Sequence, residues 1–493
     1  MAVKLVDQSE QLQESNERQF SKANIIQTTI NKSVLNVKTK FDHENNKEQG
    51  LFEKGVSDNQ LKSIREDLVS HHADLILSSF VSKESRKALV DIVFKEQRFS
   101  NDDTGHDKAE YIVSEIVGLG FIEKILIDDD SITDIGWNGT FLTVQSNDRY
   151  QVFTPDELML DDPETAIFRI VKKFADSVGK SFNRSYPILD SVAGNLRISA
   201  MHQICSPDGT TMSLRVVKPN LALKEENFTD FAPEFVLDFL RTVMATRANV
   251  VVAGETGSGK TELLKLLLSF SNKEDRILMI EDVQETHAKT LLPEHDIYSW
   301  VTSEKVKIID EVVTSLRNFP KWIVVSETRG SEAYEMIQAA LTDHKIITTV
   351  HAVSCRAIPR RFITMSSMGY SVNEKSVEED ILTYFDFGIH IKTLKVPIDR
   401  EKNLFRIVRY LSEVVEYSTE GIKTLFKQTY YYGKFYVTTG ELSEGFKERM
   451  GEKFVNFDFP VMKNQEIEKS EELTKFLRKA SEAYENKQPA NSK

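Results

Sequence analysis

The sequence predicts the α/β fold class, with a parallel-sheet domain that follows a small α+β domain and a short helical segment. Three observations predict it. In the second half of the chain, short and almost continuous apolar runs alternate with segments of helical period, as in a parallel sheet covered by helices on both faces. A glycine-rich loop joins the first of these runs to the following helix. In the first half, alternating segments separated by turns surround one amphipathic helix.

Length and composition set the broad class. A chain of 493 residues is too long for one compact core, so two or three domains are expected. Apolar residues make up 40%, enough for globular domains, and the net charge of −13 argues against a protein that coats nucleic acid. No apolar stretch reaches the roughly eighteen residues of a membrane span. The N-terminus has no hydrophobic signal core, so we expect a cytoplasmic protein without transmembrane insertion.

The two cysteines, Cys205 and Cys355, are far apart in the sequence. Their spacing indicates neither a disulfide framework nor a zinc site. Both are predicted to be packing residues, because isolated free cysteines behave as small buried apolar groups.

The first half of the chain divides by composition and period. Residues 1–58 are polar and predict a flexible tail, with short helices on binding a partner as the alternative. Residues 59–118 carry apolar side chains at helical spacings and predict two or three packed helices. The α+β domain is predicted over residues 119–217, and a linker is predicted over 218–229. The strand candidates are residues 131–139, 141–146, 150–153, 196–204 and 211–217, with a helix at 164–177.

The parallel-sheet domain is predicted over residues 230–400, with its first helix at 233–246. Its strand candidates are residues 249–253, 276–280, 322–325, 346–350 and 388–393, and its other helix candidates are 261–269, 303–318, 331–342 and 376–384. A C-terminal strand and helix extension is predicted over 401–460, and a charged helical tail over 461–493.

The glycine-rich loop has the sequence of a phosphate-binding loop and the required order of strand, loop and helix. Its glycines let backbone N–H groups wrap closely around a phosphate, and the helix N-terminus adds partial positive charge. Lys260 is predicted to reach the β and γ phosphates of a nucleotide, and Thr261 to bind Mg²⁺. The predicted nucleotide-binding residues of the loop are Gly254, Glu255, Thr256, Gly257, Ser258, Gly259, Lys260 and Thr261.

Three further segments carry chemical groups at predicted strand ends: Glu281 with Asp282, Glu327, and His351. Hydrolysis of a γ-phosphate needs charge neutralisation, a carboxylate that orients water and a group that senses the phosphate. These segments offer a candidate for each role. For a single carboxylate after a strand, a solvated loop or helix cap is the alternative.

These motifs resemble those of the secretion ATPases of type II and type IV secretion, pilus assembly and conjugation. The resemblance covers residues 118–393 and extends more weakly to 451. The glycine loop, the acidic box at 280–282, the Walker B region at 324–330 and the histidine box at 348–352 follow one another in the order of that family. The chain looks most like the conjugation and Tad-pilus branch, since two cysteines cannot build the four-cysteine zinc module of the pilus and type II assembly branch.

The resemblance implies a RecA-like P-loop NTPase domain that uses ATP and Mg²⁺. It implies Glu327 as the catalytic carboxylate, His351 as the γ-phosphate sensor, and Thr261, Glu281 and Asp282 around the metal. Arg197 and Arg215 would reach the nucleotide from the α+β domain, with a surface ion pair as the alternative for each. It also implies a homohexamer that associates with inner-membrane secretion or conjugation proteins.

Three positions depart from the family pattern. Ser326 replaces the glycine before Glu327. Phe319 stands at the second arginine of the family's Leu-Arg-Met-Arg-Pro segment, so Arg317 or Arg329 is the candidate substitute. The lead into the histidine box is one residue short and contains His344, which is predicted to be structural. Two alternatives remain open: a DNA-translocating ATPase of related fold, and a scaffold that binds ATP but hydrolyses it weakly.

Overall fold

The computed structural model describes residues 58–485, except 73–74, 77–78, 80–82, 98–102, 120–121, 123–124, 127–128 and 159–161. The predicted polar tail lies almost wholly outside the described residues, as does the end of the charged C-terminal tail. The chain forms two compact units. The first extends to Val217 and also includes Asp399–Phe405, and the second contains Lys218–Ile398 and the chain from Arg406 onward.

The described part of the first unit starts with three helices, where the sequence period predicts two or three. Their buried side chains, such as Leu68, Leu89 and Ile112, fall at helical spacings and join the hydrophobic core of this unit. The helices are α1 (Asp58–His71), α2 (Lys83–Glu96) and α3 (Asp103–Val117).

A six-stranded antiparallel sheet follows, with the strand order β4-β5-β6-β1-β2-β3. One helix covers it through Ile167, Val171 and Phe174. The helix starts at its cap Asp162, which accepts a 3.0 Å hydrogen bond from the Thr165 backbone. The elements are β1 (Ile132–Trp137), β2 (Leu142–Ser146), β3 (Arg149–Phe153), α4 (Pro163–Ser177), β4 (Ile188–Ala193), β5 (Leu196–Met201) and β6 (Thr211–Val216).

Two details of this unit correct the sequence prediction. The strand predicted over 196–204 ends at Met201, because the chain then turns and the Cys205 backbone N–H bonds to the carbonyl of His202. Cys205 is therefore exposed in the turn, and the prediction that it is a buried packing residue is wrong. Cys355, in the second unit, is buried as predicted.

The second unit is built on six parallel strands in the order β12-β7-β11-β10-β8-β9. Every residue of β7 and β8 is buried, which explains their continuous apolar runs. The strands are β7 (Val250–Gly254), β8 (Ile277–Glu281), β9 (Ile297–Val301), β10 (Trp322–Val325), β11 (Lys345–Val350) and β12 (Phe387–Asp399).

Helices pack on both faces of this parallel sheet. Along β7, Val250 and Val252 join one core with α6 and α7, whereas Val251 joins a second core with α10 and α11. The fold class predicted from the sequence is therefore confirmed. The helices of this unit before residue 400 are α5 (Phe228–Phe231), α6 (Glu234–Ala245), α7 (Lys260–Ser269), α8 (Ala288–Leu291), α9 (Ile308–Ser315), α10 (Glu332–Leu341), α11 (Ile358–Ser366) and α12 (Glu374–Tyr384).

The C-terminal extension continues the sheet of the second unit beyond β12 with antiparallel strands. Within the described part of the chain, no helix is both long enough and apolar enough to cross a membrane. The elements of the extension are β13 (Leu404–Ser418), β14 (Gly421–Tyr431), β15 (Lys434–Thr439), α13 (Glu444–Glu452), β16 (Gln465–Ile467) and α14 (Glu471–Glu485).

A buried lysine anchors the last helix to this extension. Lys469 lies just before α14 and is 7% exposed. Its Nζ donates a 3.0 Å hydrogen bond to Gln428 Oε1 and lies 4.8 Å from the centre of the Phe435 ring. Burial lowers the pKa of Lys469 to about 7, against the opposing effect of the negative charge on Asp230.

Candidate nucleotide-binding site

The glycine-rich loop connects the end of β7 to the start of α7. Gly257 and Gly259 adopt left-handed φ angles of 73° and 96°, which glycine tolerates without a steric penalty. At Gly254, a Cβ would lie 2.6 Å from Ser258 Oγ and 2.8 Å from the carbonyl oxygen of Ile391. The loop is thus too closely packed for larger residues at this position.

Two polar side chains are buried within the loop. Lys260 Nζ donates to the carbonyl oxygens of Gly254 at 3.1 Å and Glu255 at 3.0 Å. Ser258 Oγ is buried and forms no hydrogen bond with any residue that the structure describes. A buried ammonium and a buried hydroxyl at the N-terminus of a ten-residue helix suit a phosphate group.

Hydrogen bonds join the carboxyl ends of β8, β10 and β11. The Ser326 backbone N–H donates to the Ile280 carbonyl, and Thr349 Oγ1 donates to the Ser326 carbonyl at 2.7 Å. Thr328 Oγ1 and Thr348 Oγ1 are 2.7 Å apart. These contacts fix the position of Glu327, which follows β10, relative to His351, which follows β11.

Glu327 lies between two basic side chains. Its Oε1 is 2.7 Å from His351 Nε2, and its Oε2 accepts a 2.6 Å hydrogen bond from Arg329. Burial by itself raises the pKa of Glu327, but the hydrogen bond and charge of Arg329, with the charge of Lys260 and that of His351 when it is protonated at acid pH, bring it below its ordinary value. Glu327 is therefore an ionised carboxylate at neutral pH.

His351 has a lowered pKa, because burial and the charge of Lys260 outweigh the attraction of Glu327. At neutral pH its imidazole is therefore mainly uncharged. The structure thus brings together three of the predicted catalytic residues: Lys260, Glu327 and His351.

The two acidic residues at the carboxyl end of β8, Glu281 and Asp282, have different environments. Glu281 is 1% exposed. Its Oε1 accepts from the backbone N–H groups of Glu285 at 3.1 Å and Thr286 at 2.9 Å, and its Oε2 accepts from Thr286 Oγ1 at 2.8 Å. Burial raises its pKa, although these hydrogen bonds oppose the change. The carboxylate therefore holds the loop after β8, and its role at a metal or water stays a prediction.

Asp282 is half exposed, and its Oδ2 lies 3.8 Å from Arg329 Nη1. Thr302 Oγ1 lies 3.3 Å from its Oδ1. Arg329 therefore stands between Asp282 and Glu327 and connects the end of β8 to the end of β10. Of the two adjacent acids, Asp282 is the one whose carboxylate is open to solvent.

Arg197 and Arg215 belong to the first unit and face each other on β5 and β6. Arg215 Nε lies 3.0 Å from Asp134 Oδ1, and Arg197 Nε lies 3.8 Å from Asp190 Oδ1. Both arginines thus form the partly exposed ion pairs that were the alternative interpretation. Their contact with a nucleotide stays a prediction.

The structure places two of the residues at which the chain departs from the family pattern, Phe319 and His344, in turns. Phe319 ends the turn after α9 in a left-handed conformation, with φ of 52°, and is 86% exposed. His344 has its Nδ1 3.0 Å from Thr342 Oγ1 in the turn before β11. That contact agrees with a structural role for His344.

Sequence reasoning missed two residues near the site. Arg409 on β13 donates from Nε to the Gly257 carbonyl at 2.8 Å, and its distance along the chain from the loop gave no signal. Glu311 is buried on α9, where burial and the charges of Asp282 and Asp310 raise its pKa to about 7. A signal for Glu311 existed, because it falls between the buried Ile308 and Val312 on the apolar face of that helix.

A family model described as type II/IV secretion system protein matches residues 188–379. An uncharacterized protein of Bacillus anthracis is 45% identical over 406 residues, which cover 81% of this chain and 92% of that protein. A putative conjugal transfer protein of Mycobacterium tuberculosis is 25% identical over 289 residues, covering 52% of this chain and 75% of that protein.

The type IV secretion system protein VirB11 of Brucella suis is 37% identical over 155 residues, covering 29% of this chain and 40% of that protein. The solved structure of the VirB11 ATPase from Brucella suis, in complex with sulphate, aligns with a TM-score of 0.32 at 22% identity. That alignment covers 67% of this chain and 94% of the solved chain.

Proposed function

Because the chain belongs to the type II/IV secretion system protein family, we propose that it is an ATPase that powers protein export, pilus assembly or conjugative transfer at a membrane secretion machine. The single observation that carries this proposal is the arrangement of Glu327, an ionised carboxylate, beside His351 and near the charge of Lys260 at the phosphate-binding loop. This arrangement favours hydrolysis over the alternative of a weakly hydrolysing scaffold.

The residues of the loop suit ATP and Mg²⁺. The buried hydroxyl of Ser258 and the ammonium of Lys260 are donors for phosphate oxygens. Oxygen ligands for Mg²⁺ are offered by the Thr261 hydroxyl and by the half-exposed carboxylate of Asp282, which is the donor chemistry this ion prefers. When bound, the ion neutralises charge on the phosphates.

In the proposed reaction, Glu327 orients the attacking water and accepts its proton on a carboxylate oxygen. The reaction converts ATP and water into ADP and phosphate. Arg329 keeps Glu327 ionised and fixes its rotamer through the 2.6 Å hydrogen bond. His351, uncharged at neutral pH, lies against the other carboxylate oxygen and reports the state of the γ-phosphate to the end of β11.

We also propose a homohexamer that binds the cytoplasmic face of the inner membrane through partner proteins. Family membership supports this assembly. In the assembly, Arg197 and Arg215 are proposed to contact the nucleotide. Arg317 or Arg329 is proposed to take the role of the family's second arginine, at whose position this chain has Phe319. Mass photometry with a non-hydrolysable ATP analogue tests the oligomer, and a monomer under all nucleotide conditions contradicts it.

Phosphate release by the wild type and by Glu327→Gln tests the proposed activity. We expect kcat to fall by about 10² to 10⁴ in the variant, the usual contribution of a general base, while ATP binding is retained. Glu304→Gln, the same chemical change at an exposed carboxylate, is the control and keeps the wild-type rate. Equal rates for Glu327→Gln and the wild type contradict the assignment of Glu327. Tight ATP binding without phosphate release by the wild type supports the nucleotide-gated scaffold instead.

A further inference from the structure

An arginine from the C-terminal extension contacts the phosphate-binding loop. Arg409 lies on β13, and its Nε donates a 2.8 Å hydrogen bond to the carbonyl oxygen of Gly257. Its Cδ lies 3.4 Å from the position that a Cβ on Gly259 would take. The side chain therefore lies along the loop next to both of its left-handed glycines.

We infer that Arg409 is a positioning residue of the nucleotide site, which holds the phosphate-binding loop in the shape that receives the ATP phosphates. This inference rests on the proposed ATPase function. It adds to the site a residue outside the four sequence motifs, from a strand that follows the whole parallel sheet in the chain.

The geometry of the peptide bond explains how this contact acts. In a trans peptide, the C=O and the following N–H point in opposite directions. When Arg409 holds the Gly257 carbonyl, it therefore directs the N–H of Ser258 to the other side, where it points toward the Glu255 carbonyl at 3.3 Å. The Glu255 carbonyl also accepts from Lys260 Nζ at 3.0 Å, so the Ser258 N–H lies on the side of the loop that carries the ammonium expected to bind phosphate.

Arg409 and Lys260 bind different carbonyl groups of the phosphate-binding loop. Lys260 binds the carbonyls of Gly254 and Glu255 at the start of the loop, and Arg409 binds that of Gly257 at its middle. Lys260 is expected to move to the phosphates when ATP binds. Arg409 then remains as the cation that holds the backbone, and its rigid, permanently charged guanidinium suits this role.

Strand β13 places the side chains of Arg409 and Arg406 on opposite faces. Side chains an odd number of residues apart on a strand point to opposite faces. Arg406, three residues earlier, forms an ion pair with Glu472 of α14, with Nη1 3.0 Å from Oε1, and its guanidinium lies 5.1 Å from the centre of the Phe476 ring. Arg406 is thus a matched control: it has the same side chain on the same strand, but it contacts the last helix.

The test compares Arg409→Ala, Arg409→Lys and Arg406→Ala with the full-length wild type. A fluorescent ATP analogue measures affinity, thermal unfolding without nucleotide measures stability, and hydrogen exchange measures protection of the loop amides at 257–259. For Arg409→Ala we expect the Kd to rise about tenfold, the size of one hydrogen bond from a charged donor. We also expect faster exchange of the nucleotide-free loop and an unchanged Tm.

Arg409→Lys is expected to recover part of the affinity, because it keeps the charge and one donor on a more flexible stem. Arg406→Ala is expected to lower the Tm through its contacts with α14 and to keep the wild-type Kd. If loop exchange and Kd in Arg409→Ala equal those of the wild type, the inference is wrong. A Kd change without faster loop exchange also overturns it, since that result indicates direct phosphate contact. If the wild type itself binds no nucleotide, the proposed function fails instead.

Discussion

Replacing Lys469 with methionine tests whether the buried lysine of the C-terminal extension makes stability depend on pH. The lysine is buried, with its ammonium on Gln428 and above Phe435. Burial lowers its pKa from an ordinary 10.5 to about 7. Methionine has a similar length and does not titrate, so the variant removes the pH dependence that belongs to this side chain alone.

The direction in which pH changes the free energy of unfolding follows from the protonation of Lys469 in the folded and unfolded states. Above pH 7 the folded protein carries mostly neutral Lys469, whereas the unfolded chain keeps it protonated up to about pH 10.5. Unfolding therefore takes up a proton, and raising the pH disfavours it. With about 1.4 kcal/mol per pH unit at full effect, the free energy of unfolding of the wild type gains roughly 2 kcal/mol from this group between pH 7 and pH 9.

Urea denaturation of both proteins at pH 7, 8 and 9, followed by tryptophan fluorescence, measures this effect. The loss of the hydrogen bond to Gln428 costs the variant about 1–3 kcal/mol at every pH, so it does not change the slope. We expect the wild type to gain about 2 kcal/mol relative to Lys469→Met over the range. Lys475→Met, at an exposed position on α14, is the control and shows a constant difference. A constant difference for Lys469→Met as well refutes the reasoning.

Three other substitutions separate structural from chemical roles. Glu281→Gln puts an NH₂ group where Oε2 accepts from Thr286 Oγ1 and a neutral oxygen where Oε1 accepts two backbone N–H groups, and is expected to cost about 1–3 kcal/mol of stability, measured by thermal unfolding. Gly254→Ala puts a Cβ 2.8 Å from the Ile391 carbonyl, so we expect ATP affinity to fall at least tenfold through loop displacement, measured by titration of a fluorescent analogue. Arg215→Gln removes a partly exposed ion pair worth under about 1 kcal/mol, so the Tm is expected to stay constant while ATP affinity falls several-fold.

Each of these has a matched control or a contradicting result. Asp282→Asn changes the neighbouring, half-exposed acid and is expected to leave stability unchanged. Unchanged stability with lost turnover in Glu281→Gln would assign that residue to the chemistry. Gly445→Ala meets no neighbouring atom within 4 Å and keeps wild-type affinity. Wild-type affinity in Arg215→Gln rules out its predicted role at the nucleotide.

The parallel sheet was predictable because its inner strands are buried on both faces. Continuous apolar runs predicted β7, β8, β10, β11 and the start of β12 within a residue or two of their observed bounds. The prediction missed β9, whose residues are mostly half buried or exposed, so its sequence has no continuous apolar run. It also missed β4, at the edge of the antiparallel sheet, whose alternate residues are exposed.

The site could be predicted where adjacent parallel strands end. Glu327 and His351 follow neighbouring strands, so their proximity follows from the sheet itself. Glu281 is the last residue of a strand, but whether such a carboxylate faces a ligand or binds its own loop depends on local groups such as the Thr286 hydroxyl. Arg409 was not predictable, because its contact with Gly257 depends on how a distant strand is aligned with the loop.

The contacts of Lys260 have a consequence for the heat of ATP binding. In the structure its ammonium has two carbonyl acceptors, at 3.0 and 3.1 Å. When a phosphate binds, the Lys260 ammonium therefore exchanges these carbonyl acceptors for phosphate oxygens. The binding enthalpy measured by calorimetry is then a difference between two sets of hydrogen bonds. In the proposed ATPase cycle, the same contacts hold the buried Lys260 cation within the loop between the release of ADP and the binding of the next ATP, and so preserve the shape of the loop.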